Sequence, residues 1–63
     1  MEYSGENKEA ATLQPGDFIT TTGYSADVSE VEDIRPVTHD KVHVTTASSG
    51  AIWKADKLIR IYR

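Results

Sequence analysis

His39 and His43 stand four residues apart, the separation at which two histidines on one helix face chelate zinc. Pro36 precedes them and the β-branched residues Val42, Val44, Thr45 and Thr46 overlap them. A helix is therefore disfavoured, and the two imidazoles are expected on a loop and on the solvent face of a strand. The chain has no cysteine to complete a site, and no metal or other cofactor is expected. Glu30, Glu32 and Asp33 form a second group. On a strand Glu30 and Glu32 share one side about 7 Å apart, which suits paired-carboxylate work or a cation. No nucleophile with a partnering base accompanies them, so a charged strand edge that discourages aggregation is the expected role. The hydroxyls of Thr20, Thr21, Thr22, Thr45, Thr46, Ser48 and Ser49 fit strand and turn propensity. No phosphate loop, dinucleotide fingerprint or kinase signature is present, and the chain reads as non-enzymatic.

Trp53, Lys54, Lys57, Arg60, Tyr62 and Arg63 make the most suggestive group. Cations interleaved with aromatics can hold nucleic acid, the cations neutralising phosphate and the rings stacking on bases. The net charge of -3 opposes this, because such binding rests on a dominant positive field. A core or rim Trp53 with ordinary surface cations accounts for the group without a function. Among functions, a protein-binding face using Tyr24, Trp53 and Tyr62 is favoured, since exposed aromatics contribute most per residue to interfaces. The alternative is a nucleic-acid- or ribosome-associated surface built from Lys54, Lys57, Arg60 and Arg63. Charge is also uneven along the chain: Lys8 is the only cation up to Ile34, whereas cations outnumber carboxylates from Arg35 onward. In a small domain the two halves interleave and compensate, or they form one acidic and one basic face.

The elements that must position these residues are short. Sixty-three residues make one domain near the lower size limit for folding without disulfides or metal. Residues 1–12 are polar and read as a solvated, flexible tail, with Tyr3 as an aromatic that is either exposed or docked. Residues 13–63 form the folded domain. Pro15-Gly16 sets a type II turn ahead of a strand Phe18–Thr22, and Gly23–Asp27 forms a loop. Val28–Ile34 reads as a strand with a bulge, a short helix being the other option. A loop Pro36–Lys41 leads into a hairpin Val42–Lys54 that turns around Ser48-Ser49-Gly50, through a two-residue Ser49-Gly50 loop or a longer one starting at Ala47, with Ile52 expected toward the core and Trp53 at the rim. A 3₁₀ turn over Ala55–Leu58 precedes a closing strand, with Ile59 and Ile61 inward. No run is long and apolar enough to span a bilayer. The N-terminus lacks a basic-then-apolar export signal, so a cytoplasmic protein without a membrane partner is expected. With so small a core, either a monomer or a strand-edge homodimer fits.

Leu13-Gln14-Pro15-Gly16-Asp17-Phe18-Ile19 is similar to the L-x-P-G-D-x-I/V start of Src-homology-3-like small barrels, including KOW-type modules of ribosome- and polymerase-associated proteins. The run Val42-x-Val44-x-Thr46, through Gly50, Trp53 and Ile59-Arg60-Ile61, resembles small barrel proteins of actinobacteria and their phages. The resemblance spans Leu13 to Tyr62 and its motifs mark turns and core positions. It implies an all-β, five-stranded Src-homology-3-like barrel. It also implies a small phage or mobile-element protein that binds a host or viral protein.

Overall fold

Pro15 and Gly16 set the first reversal of the chain. In the computed structural model, which describes every residue from Met1 to Arg63, the Asp17 N–H donates to the Gln14 carbonyl at 3.1 Å and Gly16 takes a φ of 99°. Proline at the second position and a positive-φ glycine at the third make the expected type II turn. The Asp17 carboxylate adds a second closure by accepting the Gln14 N–H at 2.9 Å.

The chain is all-β, as the sequence predicts. Its strands are β1 (Tyr3–Glu9), β2 (Phe18–Ile19), β3 (Ser29–Thr38), β4 (Lys41–Thr46), β5 (Gly50–Lys54) and β6 (Leu58–Tyr62), with 3₁₀ turns at Ala10–Thr12 and Ser25–Asp27. Neighbouring strands run antiparallel in the order β1-β6-β2-β3-β4-β5. There are six strands instead of five, and β1 and β5 do not pair, so the sheet is not closed into a barrel.

The extra strand corrects the expectation that residues 1–12 form a flexible tail. β1 pairs with β6 through Tyr3↔Tyr62, Asn7↔Arg60, Lys8↔Ile59 and Glu9↔Leu58, with a register shift between Tyr3 and Asn7. An edge strand contributes backbone hydrogen bonds and needs no apolar face, which is why a polar composition concealed it. Lys8 reaches the Asp17 carboxylate at 3.2 Å and so ties β1 to the Pro15-Gly16 turn. Past β1, Ala10 is fully buried at 0% exposure. Its N–H donates to the Lys57 carbonyl at 2.9 Å, and the Ala11 N–H donates to the Ala55 carbonyl at 3.0 Å. The Ala10–Thr12 turn therefore straps the β5–β6 connection to the start of the chain.

β2 is shorter than the expected Phe18–Thr22 strand. The Thr20 hydroxyl accepts the N–H groups of Thr22 and Gly23, each at 3.2 Å, so local bonding draws the backbone off the ladder. β3 bears out the strand reading of Val28–Ile34: its register shifts between Val31 and Asp33, which sets both Val31 and Ile34 opposite inward residues of β4. β3 then runs through Pro36 to Thr38, where the sequence predicts a loop. Proline is tolerated there because β2 pairs only with the beginning of β3 and leaves that side of the strand free.

In the β4–β5 hairpin Trp53 lies opposite Val42 and Ala51 opposite Val44. Directly opposed residues share a face, so Trp53 points inward with the buried valines while Ile52 points out beside His43. Ile52 is 57% exposed, which corrects its expected core position; seating the larger indole inside leaves the aliphatic residue outside. Ile59 and Ile61 face inward as expected and join Ile19, Val31 and Val44 in the core.

Burial of Ala10 makes a direct prediction. Ala10→Asp is expected to cost about 3 kcal/mol or more by placing an unpaired charge in the core, read as a lowered urea midpoint. An unchanged midpoint would return this segment to solvent.

Candidate functional site

β6 organises the candidate site because its two faces have different neighbours. Tyr62 lies opposite Tyr3 of β1 and opposite Phe18 of β2. Flanked on both sides, it is only 4% exposed, which corrects its expected role as a displayed contact. The Tyr3 and Tyr62 ring centres are 6.2 Å apart with planes tilted by 56°. The Arg60 guanidinium carbon sits 5.0 Å from the Tyr3 ring centre, and the Tyr3 hydroxyl donates to Asn7 Oδ1 at 2.7 Å. The aromatic of the N-terminal segment is therefore docked on β6 and helps hold a cation.

Lys57 is placed by backbone bonds at both of its polar groups. Its carbonyl accepts the Ala10 N–H, and its N–H donates to the Lys54 carbonyl at 3.1 Å. From this turn the ammonium reaches to 5.4 Å from the Trp53 ring centre. Such a pairing contributes roughly 0.5–1 kcal/mol at an exposed site, enough to bias a lysine rotamer.

Trp53, Lys57, Leu58, Ile59, Arg60 and Tyr62 line an open groove of about 440 Å³, together with the Thr20–Gly23 segment that leaves β2. Two cations stand in it without carboxylate partners, since the ion pairs of the molecule are Lys8–Asp17, Arg35–Asp33 and Arg63–Glu6. The lining contains no carboxylate or imidazole. What it offers is an aromatic face with one ammonium and one guanidinium donor, a set suited to holding an extended anionic segment.

The expected site residues divide. Trp53 is half-buried and lines the groove, as does the buried Tyr62. Tyr24 is 71% exposed and lies one residue beyond the lining. Lys57 and Arg60 come together at the groove. Lys54 lies on the outer face of the hairpin opposite Lys41, and Arg63 is engaged by Glu6 at 2.8 Å, so the four cations of the nucleic-acid alternative do not share one surface. Thr20–Gly23 and Tyr3 belong to the site without having been singled out for it. Threonine clustered before a glycine was a signal for local hydroxyl-to-backbone bonding as much as for a strand.

The histidines lie away from the groove. His39 is in the β3–β4 turn and His43 lies on the outer face opposite Arg35 and Ile52. No three His, Cys, Asp or Glu side chains gather as a metal site. A second shallow depression lies between the β2–β3 loop and the β4–β5 turn. Hydroxyl pairs bridge it, Thr21 to Ser49 at 2.8 Å and Ser29 to Ser48 at 2.6 Å. No helix is long and apolar enough to cross a membrane. Comparison with protein-family models, curated proteins and solved structures finds no match to the chain.

Lys57→Met is expected to leave the fold intact, at a cost under about 1 kcal/mol. It should also shift the emission of Trp53, the sole tryptophan. An identical emission spectrum would show that the ammonium does not sit over the ring.

Proposed function

We propose that the chain is a non-enzymatic interaction module that holds an extended, acidic segment of a protein partner in the Trp53–Arg60 groove. The observation that carries the reading is the pair of carboxylate-free cations, Lys57 and Arg60, standing in one groove with the indole of Trp53. An acidic side chain of the segment meets an ammonium or guanidinium already oriented by an aromatic face, so little side-chain entropy is lost on pairing. An apolar side chain beside it covers the indole and Leu58. Tyr24, exposed just past the groove, adds contact area at its mouth. The resemblance to small barrel proteins of actinobacteria and their phages extends the proposal to a phage or mobile-element protein binding a host or viral protein inside the bacterial cell.

A nucleic-acid strand is the second reading, because Lys57, Arg60 and the indole would equally receive phosphate and base. With Lys54 on another face and Arg63 paired, two cations remain, which limits the salt slope to about 1.4 for a single strand. That is weak electrostatic binding for a chain of net charge -3.

Selection from a displayed peptide library tests the proposal. Enriched peptides are expected to carry an acidic residue near an apolar one, and Lys57→Ala and Arg60→Ala should each weaken their binding by about tenfold. Peptides that bind both variants as well as the parent would refute the groove as their site. Tighter binding to single-stranded DNA or RNA at low salt, lost in the same variants, would favour the second reading.

A further inference from the structure

The two edges of the sheet are not alike. β1 carries a register shift and a glycine, Gly5, at a φ of 85°, irregularities that spoil an edge for pairing. β5 pairs with β4 at five consecutive positions without a shift, from Lys41↔Lys54 to Thr45↔Gly50. Hydrogen bonds at both ends of this hairpin set its pattern. The Thr46 N–H donates to the Ser49 carbonyl and the Ala55 N–H to the Asp40 carbonyl, each at 2.7 Å. Antiparallel pairs alternate between bonded and non-bonded, so Ala51 and Trp53 direct their backbone groups at β4. Gly50, Ile52 and Lys54 direct theirs at the open edge. The Lys54 carbonyl is met by the Lys57 N–H, and no strand covers the rest.

We infer that this edge joins β5 of a second copy, antiparallel, with the two-fold axis at Ile52. That register pairs all five residues of β5, whereas an axis at Ala51 or Trp53 pairs only part of the strand. It places Ile52 against Ile52 of the second copy, covering a large aliphatic side chain that is otherwise exposed. Lys54 falls opposite glycine, so the two cations avoid each other, and the half-buried Trp53 falls beside the small Ala51. The strand is thus complementary to itself in size and charge, and this favours a second copy over an unrelated strand. A five-residue edge buries less than the roughly 1,200 Å² of an ordinary stable interface, so the association is weak and concentration-dependent. It uses a surface other than the cation-bearing wall of the groove and stands independently of the proposed function.

Sedimentation equilibrium and amide chemical shifts measured from about 10 μM to about 1 mM test the inference on the whole chain. The average mass is expected to rise toward twice that of the monomer, with concentration-dependent shifts centred on Gly50–Lys54. Ile52→Pro removes an outward N–H without breaking a bond to β4, and Ile52→Lys sets two ammonium groups on the axis at an exposed position that keeps the fold. Each should weaken association at least about tenfold. A parent chain that stays monomeric at about 1 mM overturns the inference. So do shifts centred on β1, or an Ile52→Lys chain that associates like the parent.

Discussion

Two backbone N–H groups hold the open sheet in shape. A sheet whose first and last strands do not meet has no ladder to close it, and a domain of this size has little core to resist splaying. Ala10 and Ala11 supply the missing link by donating to the carbonyls of Lys57 and Ala55. The bonds form only if Ala10 is seated in the core, and Ala10 fits there because it has no more than a methyl group. The polar residues of β1 bring it to that point, held by pairing with β6 and by the Lys8–Asp17 ion pair. Burial of the ion pair is partial, so its direct contribution is modest; its consequence is to fix the path of the strap.

The same strap places the candidate site. Lys57 is at once the carbonyl that receives Ala10 and the cation that lies over Trp53. Arg60 is placed by β6 and steadied by Tyr3, a residue of β1. Both cations of the groove therefore depend on the N-terminal segment, one through its backbone and one through an aromatic ring. A groove assembled in this way has oriented charges, and the proposed interaction module rests on that orientation.

Much of the architecture was legible in residue types. The type II turn at Pro15-Gly16, the bulged strand at Val28–Ile34, and the inward placement of Ile59 and Ile61 follow from backbone preferences and periodicity. β1 was not legible, because its stabilising contribution lies in main-chain bonds to a strand at the far end of the sequence. Ile52 was misplaced because alternation alone does not say which of two adjacent apolar residues faces in; the pairing of Trp53 with Val42 decides that. In the site, composition drew attention to Trp53, Lys57 and Arg60, which the fold brings to one groove. It could not separate them from Lys54, which alternation sends to the other face, or from Arg63, which Glu6 engages. Tyr62 appeared displayed until β1 supplied the residue that covers it.

Amide hydrogen exchange at Ala10 and Ala11 tests the dependence of fold and site on the strap most directly. Protection comparable to that of Val44 and Ile61 in the central strands is the expected result, because these N–H groups open only when the sheet does. Exchange at the rate of an unstructured peptide, with the central strands still protected, would contradict it.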